Sequence, residues 1–368
     1  MCDEHPPFIV ARKGDQYIQY SLQKEPKLQL IRSSFAAIAA SQEPFLTALK
    51  LGEPNQLRGH LKYVTVLNSI RSGTGQSSSL YFDVLLPLFN DFGIRHVYVA
   101  THSKTSISQH AHSFGTSGTV ILLGGDTTAH EFINGLPKTS TPLELRIIVI
   151  PTGTGNALAN SWAMQSPELA IQSMFFGSHN WKPMSCFPVQ LPSHLSPICA
   201  IVVFSFGLHA GLVADSDTPE MRKMGAERFK VAAIALAQRS PTYLARISGI
   251  DETSHSYLLV TCMEKLEAKF RISPNSDGQK LYMVRIPKVS SDRFMDIMAE
   301  VYNNGNHITL PDVTYSQVTE ELLVEIQDQP VLERRCCIDG ATFECPPGTV
   351  RIGQPSNYWN GWKLLSWN

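Results

Sequence analysis

The chain has 368 residues, 43% hydrophobic and 17% charged, a composition that suits a globular protein with a sizeable core and excludes a disordered or fibrous one. Its 31 basic and 32 acidic side chains leave a formal charge of −1, so no global field holds nucleic acid or an anionic membrane, and any anion has to be bound locally. The seven cysteines are scattered without a Cys-x-x-Cys pair, and reduced structural thiols are expected even where Cys336, Cys337 and Cys345 cluster.

The opening MCDEHPPFIV fits neither a secretory signal nor a basic transit peptide, and a cytoplasmic protein is expected. Residues 1–57 carry no decisive pattern, and their organisation is left undetermined. From Leu61 onward strands and helices alternate. Strands are predicted at 63–67, 96–100, 119–123 and 145–150, with helices at 80–92, 107–114, 128–136 and 157–164 between and after them. That alternation predicts a parallel sheet with right-handed crossovers. Beyond about 165 the texture changes to short β-rich runs, such as 198–204, 256–262 and 281–286, with one helix at 218–238. A second, mainly β domain follows from this. The longest apolar stretch, 197–214, contains Ser205, His209 and two glycines and reads as buried strand, so no transmembrane helix is expected.

Three glycine-rich loops sit at successive strand ends. Val120 to Leu123 runs into Gly124-Gly125-Asp126-Thr127-Thr128 and then a helix, the arrangement that aims backbone N–H groups and a positive helix end at phosphate. The same residues also suit an ordinary strand-to-helix turn with an Asp cap. Asn68 to Gly75, with Ser72 and Gly73, follows the first strand, and Thr101 ends the second. Pro151 to Asn156, with Gly153, Thr154 and Gly155, follows the fourth. Such loops on one sheet edge would line one crevice, and a nucleotide polyphosphate is the ligand that a set of backbone donors accommodates. None has the spacing or the lysine of a P-loop.

Gly124 to Leu136, with Glu131, Asn134 and Gly135, resembles the Gly-Gly-Asp-Gly-Thr, Glu, Asn-Gly-Leu signature of the diacylglycerol kinase catalytic domain. Pro151 to Ala159 is similar to that family's Pro-x-Gly-Thr/Ser-Gly-Asn-x-x-Ala loop, and Asn68 with Arg71 to Gly75 to its first nucleotide loop. The segment Gly211 to Asp217, followed by Arg222 to Phe229, looks closest to sphingosine and ceramide kinases, and Ile338-Asp339-Gly340-Ala341 resembles the Asp-Gly-Glu segment. The resemblance implies ATP and Mg²⁺ as co-substrate and cofactor and a lipid hydroxyl as acceptor. The candidate acceptors are a sphingoid base, ceramide or diacylglycerol, met by peripheral contact with a membrane. It implies Asp126 as catalytic base. Asn68, Ser72, Gly73, Gly75, Thr101, Gly124, Gly125, Thr128, Glu131, Gly153, Thr154, Gly155, Asn156, Arg222, Arg228, Asp339 and Gly340 would lie around the nucleotide, and Asp217 would meet the lipid.

Two positions depart from the pattern. Thr127 replaces a glycine where close approach or positive φ would favour one, and Ala341 lacks the carboxylate of the Asp-Gly-Glu segment. They leave open a catalytically degenerate lipid-kinase-like binding protein, and a NAD kinase is a further alternative. The expected architecture is α/β, a Rossmann-like nucleotide-binding domain at 58–165 and a sandwich-like lipid domain at 166–355. The active site would lie in the cleft between them, and the tail at 356–368, with Trp359, Trp362 and Trp367, would pack back on the first domain.

Overall fold

The computed structural model describes residues 7–13, 16–23, 29–36, 49–50, 61 and 64–367, apart from 71, 74, 104, 177–180 and 226. Its centre is a parallel sheet in which Val64–Asn68 lies between His96–Ala100 and Gly118–Gly124, with Leu143–Pro151 beyond. In chain order the strands therefore run second, first, third, fourth across the sheet. The order reverses between Val64–Asn68 and Gly118–Gly124, and in open α/β sheets a crevice opens at that reversal, outside the carboxyl ends of the strands. The sheet also draws on later residues. Trp362–Trp367 pairs parallel with Leu143–Pro151, and Trp181–Pro183 pairs antiparallel with Trp362–Trp367. Trp362 is wholly buried, and its indole N–H donates to the Pro137 carbonyl at 2.9 Å.

Both faces of this sheet are covered, which is why its strands read as unbroken apolar runs. Val66, Ile121, Leu123, Ile148 and Ile150 face one cluster, shared with Leu80 to Phe92 and the Pro167–Phe176 helix. On that side lies a four-stranded sheet of Pro7–Lys13, Gln16–Gln23, Gln29–Ala36 and Leu49–Lys50, from which Tyr20 donates to Asp91 at 2.8 Å. Leu67, Val120, Leu122, Ile147 and Val149 face the other cluster, which runs through the helix Asp126–Gly135 into the second sheet. The second sheet is antiparallel and eleven-stranded, so the α/β and β-rich layers expected from the sequence are both present.

Two predicted elements are interrupted, each for a physical reason. The strand expected at 198–204 divides into Ile198–Ala200 and Val203–Gly207, because the amides of Ile201, Val202 and Val203 all turn to the Asp339 carboxylate. The helix expected at 218–238 divides into Pro219–Arg222 and Glu227–Arg239, with Gly225 between them at φ +58°, a conformation that ends helices.

Asn134 joins the two sheets. Its Oδ1 accepts from the Cys199 amide at 2.8 Å, and its Nδ2 donates to the carbonyls of Cys199 and His130, each at 3.0 Å. Asn134→Ala leaves buried backbone groups of Cys199 unpaired and is predicted to cost about 2–3 kcal/mol, read by chemical denaturation.

Candidate functional site

The three glycine loops meet backbone to backbone at the carboxyl edge of the parallel sheet. The Thr152 and Gly153 amides donate to the Gly124 carbonyl at 3.0 and 3.1 Å, the Ser69 amide to Leu123 at 3.0 Å, and the Asp126 amide to Gly155 at 3.4 Å. A Cβ on Gly153 would lie 2.7 Å from the Gly125 Cα, and one on Gly125 would lie 2.5 Å from the Gly155 carbonyl oxygen. At Gly73, φ is +55° and a Cβ would strike the Thr152 carbonyl oxygen. Glycine is required at these positions first by loop-on-loop packing. The outer surfaces of Gly73, Gly75, Thr154 and Gly155 are exposed, and Ser72 is partly so.

The polar side chains expected around a nucleotide divide into two groups. Asn68 is wholly buried and donates to Ser78 and to the Tyr98 hydroxyl, at 3.1 and 2.8 Å, so its side chain braces the first loop. Thr101 accepts from the Ile70 amide at 3.2 Å, and Thr128 is buried against Gly124. Asn156 and Glu131 are more open. Asn156 donates to the Gly153 carbonyl at 2.6 Å, while its Oδ1 has no partner among the described residues. Glu131 is partly buried, which raises its proton affinity, and it makes no hydrogen bond or ion pair among the described residues.

Asp126 opens the helix Asp126–Gly135, yet its carboxylate caps a different one. Its Oδ2 accepts from the Ala157 amide at 2.7 Å and its Oδ1 from Leu158 at 3.1 Å, the first two amides of Ala157–Ser161. One acid thus ties the second glycine loop to the third. Burial pushes the Asp126 pKa up to about 6; the two amides oppose that rise, and the nearby Asp339 adds to it.

Asp339 is 1% exposed, and its acceptors are all engaged by the chain. They take the amides of Ile201, Val202 and Val203, each at 2.8 Å, and Nδ1 of His130 at 2.9 Å. The expectation that the Asp339 side chain binds nucleotide is corrected accordingly: the Asp339–Gly340 turn can offer the crevice its backbone only. Thr127 meets this turn, donating from Oγ1 to the Asp339 carbonyl at 3.4 Å. Because Thr127 lies within a helix and not at positive φ, its branched side chain is accommodated without strain. His130, which the motif did not single out, and Asn134 lie one helical turn apart on the face that meets the second sheet, a spacing visible in the sequence.

Asp217, Arg222 and Arg228 come together in the second layer. Arg222 grips Asp217 through two hydrogen bonds of 2.8 and 2.7 Å, and Arg228 lies 4.0 Å from the same carboxylate with its guanidinium over Phe229. Among the described residues, none of this trio's hydrogen bonds or ion pairs reaches the glycine loops.

Residues 62–186 match the model of the diacylglycerol kinase catalytic domain. Over that stretch the chain is similar to the diacylglycerol kinase catalytic domain. It is 31% identical over 161 residues to Sphingosine kinase B of Dictyostelium discoideum, a match covering 41% of this chain and 20% of that protein. It is 33% identical over 107 residues to Sphingoid long-chain bases kinase 1 of Arabidopsis thaliana, covering 26% and 13%. The chain thus spans a fifth or less of the curated relatives it matches. A crystal structure described as a diacylglycerol kinase from Bacillus anthracis str. Sterne superposes with a TM-score of 0.57 at 18% identity, covering 84% of this chain and 97% of that one. A second structure from the same organism gives 0.61 at 15% identity, with the same coverages, and both show a shared fold. A kinase catalytic domain implies ATP as co-substrate, and Mg²⁺ is typical of the family.

Two predictions follow from this geometry. Gly125→Ala, which forces the second and third loops apart, is predicted to lower the thermal midpoint by several degrees, the effect of about 1–3 kcal/mol of overpacking. An ionised Asp126 is disfavoured by its surroundings, so the folded state loses stability as pH rises from about 4 through about 6. Asp126→Asn cannot titrate. Denaturation midpoints measured from pH 4 to 8 should therefore shift in favour of the variant, relative to wild type, as pH rises.

Proposed function

We propose that the protein transfers the γ-phosphoryl group of ATP to the hydroxyl of a lipid, with Asp126 as the base. The supporting observation is the position of Asp126. It lies at the strand-order reversal, at the first turn of a helix, between glycine loops with outward-facing backbone, and its carboxyl titrates near 6. Such a group is ionised at neutral pH and basic enough to take a proton as the acceptor oxygen attacks. The remaining work is positioning and charge neutralisation, in which loop amides and arginines suit the phosphate oxygens. In this reading residues 58–165 hold ATP and residues 166–355 hold the lipid.

The residues present fit a magnesium ion, which typically takes one or two carboxylates together with substrate phosphates. Glu131, partly buried and without a hydrogen bond among the described residues, would hold it, and it would neutralise phosphate charge there. Among the described residues no group of three or more His, Cys, Asp or Glu side chains forms a self-sufficient metal site. Arg222 and Asp217 are 56% and 42% exposed, and such a pair contributes only about 0–1 kcal/mol. They can separate readily, Arg222 toward phosphate and Asp217 toward the polar head of the lipid.

The sphingosine and sphingoid-base kinases among the relatives favour a sphingoid acceptor, with ceramide and diacylglycerol as the other classes to test. The strain-free placement of Thr127 removes one ground for a binding-only protein. Among the described residues no helix is long and apolar enough to cross a membrane, so the lipid would be met at a surface.

The test is a pH series with wild type and Asp126→Asn. For the wild type, kcat/KM for lipid is expected to fall about tenfold per unit below a pH of about 6, as the base protonates. Asp126→Asn should lower kcat by about 10²-fold or more. A variant with wild-type kcat would remove Asp126 from the chemistry.

A further inference from the structure

One face of the antiparallel sheet carries a polar cluster that phosphoryl transfer does not use. Val203 pairs with Thr261, Ser205 with Leu259 and Gly207 with Tyr257, while Ser205 also pairs with Cys337. Paired residues share a face and alternate residues repeat it, so Ser205, Tyr257 and Cys337 lie together with Gly207 between them. The helix Leu208–Ser216 begins directly after Gly207, and its His209 shares a 2.7 Å hydrogen bond between Nδ1 and the Ser205 hydroxyl. The helix Ser291–Tyr302 contributes to the same region, with the Phe294 ring 6.0 Å from that of Tyr257.

Two features of the cluster are unresolved by the protein itself. Tyr257 is 2% exposed, and its hydroxyl is buried with no hydrogen-bond partner among the described residues. A buried hydroxyl left unpaired is costly, which makes it a place where a ligand group gains by binding. Among the described residues His209 hydrogen-bonds through Nδ1 alone, and its ring stands edge-on to Tyr257 at 6.2 Å. Burial lowers the His209 pKa to about 4, so at neutral pH the ring is an uncharged hydrogen-bonding group, and burial also raises the Tyr257 pKa, keeping the phenol neutral.

The cluster is also connected to the site. The Val203 amide is held by Asp339, whose backbone carbonyl accepts from Thr127, the neighbour of Asp126. Ser205 lies two strand residues further on, roughly 7 Å along the sheet. At its far end the same helix leads to Asp217, its C-terminal cap. Hydrogen bonds through Asp339 thus link the cluster to the turn beside Asp126, in the layer that holds the lipid in the reading above.

We propose that Ser205, His209 and Tyr257 form a recognition site for a neutral hydrogen-bonding substituent, a hydroxyl or an amide, next to the phosphorylated hydroxyl of the acceptor lipid. This rests on the lipid-kinase reading and narrows it. The cluster presents neutral donors and acceptors and no carboxylate of its own, so it selects an uncharged polar group, and a substituent that cannot hydrogen-bond leaves Tyr257 unsatisfied.

The test compares two acceptor lipids of equal chain length, one bearing a hydroxyl or amide beside the reacting hydroxyl and one with that group replaced by hydrogen. Wild type is predicted to prefer the first in kcat/KM by roughly 10- to 100-fold, the range for a hydrogen bond to an otherwise unpaired buried group. In Tyr257→Phe that ratio should collapse toward one while KM for ATP is unmoved, and His209→Gln should retain more of the ratio than His209→Leu. In the lipid-free protein the thermal midpoint of Tyr257→Phe should not fall, because the hydroxyl it removes has no partner to lose. Wild type that phosphorylates both lipids equally overturns this inference and leaves the kinase reading standing. So does a Tyr257→Phe protein that keeps the preference, or one that loses several degrees of thermal midpoint, the mark of a structural water on the hydroxyl. Wild type that phosphorylates neither lipid, nor any other, overturns both.

Discussion

The junction of the two sheets depends on one buried carboxylate. Asp339 accepts three consecutive amides from the turn at 201–203 and a fourth hydrogen bond from His130, and Asn134 on the same helix holds Cys199 immediately before that turn. Without an internal acceptor, three adjacent amides in the core of a β layer would be unpaired, each at a cost comparable to a lost hydrogen bond. The hydrogen bonds that satisfy them also fix where the Asp126 helix meets the second sheet. The first turn of that helix, with Asp126 and Thr127, is thereby set against the Asp339–Gly340 turn. The proposed phosphoryl transfer would depend mainly on alignment, and core hydrogen bonding is what fixes the relative placement of these groups.

Asp126 carries the opposite burden. It bridges two glycine loops by capping the Ala157–Ser161 helix, and two amide bonds would normally hold a carboxylate at low pKa. Desolvation and the charge of Asp339 outweigh them, and the group titrates near 6. An ionised Asp126 thus costs the fold some stability at neutral pH. The glycines around it show a similar economy. The packing that excludes a Cβ at Gly73, Gly125 and Gly153 also turns backbone, with no intervening side chain, toward the crevice.

Much of this was legible in the chain. Alternating apolar runs and glycine loops marked the parallel sheet, and three such loops marked the edge at which they meet, because period and turn chemistry are local signals. The divided strand at 198–204 was not legible. Its cause, Asp339, lies more than a hundred residues away, and nothing local distinguishes an amide that pairs with a strand from one that pairs with a distant carboxylate. For the same reason Asp339 read as open to a ligand when the chain engages all of its acceptors. Thr127 read as a defect because the resemblance supplies a glycine there. The helix that begins at Asp126 accepts a branched residue, and only the backbone conformation reveals it. Tyr257 and His209 gave no signal at all, since a lone tyrosine or histidine in an apolar run is ordinary core until its partners are known.

The central claim is that this crevice hands phosphate from ATP to a lipid. The most direct measurement incubates the full chain with Mg²⁺ and γ-labelled ATP and a panel of sphingoid base, ceramide and diacylglycerol, with thermal midpoints recorded for the same mixtures. The account predicts that ATP raises the midpoint and that label appears in one lipid class. A raised midpoint with no labelled lipid in any class would contradict it and identify a protein that binds nucleotide without transferring phosphate.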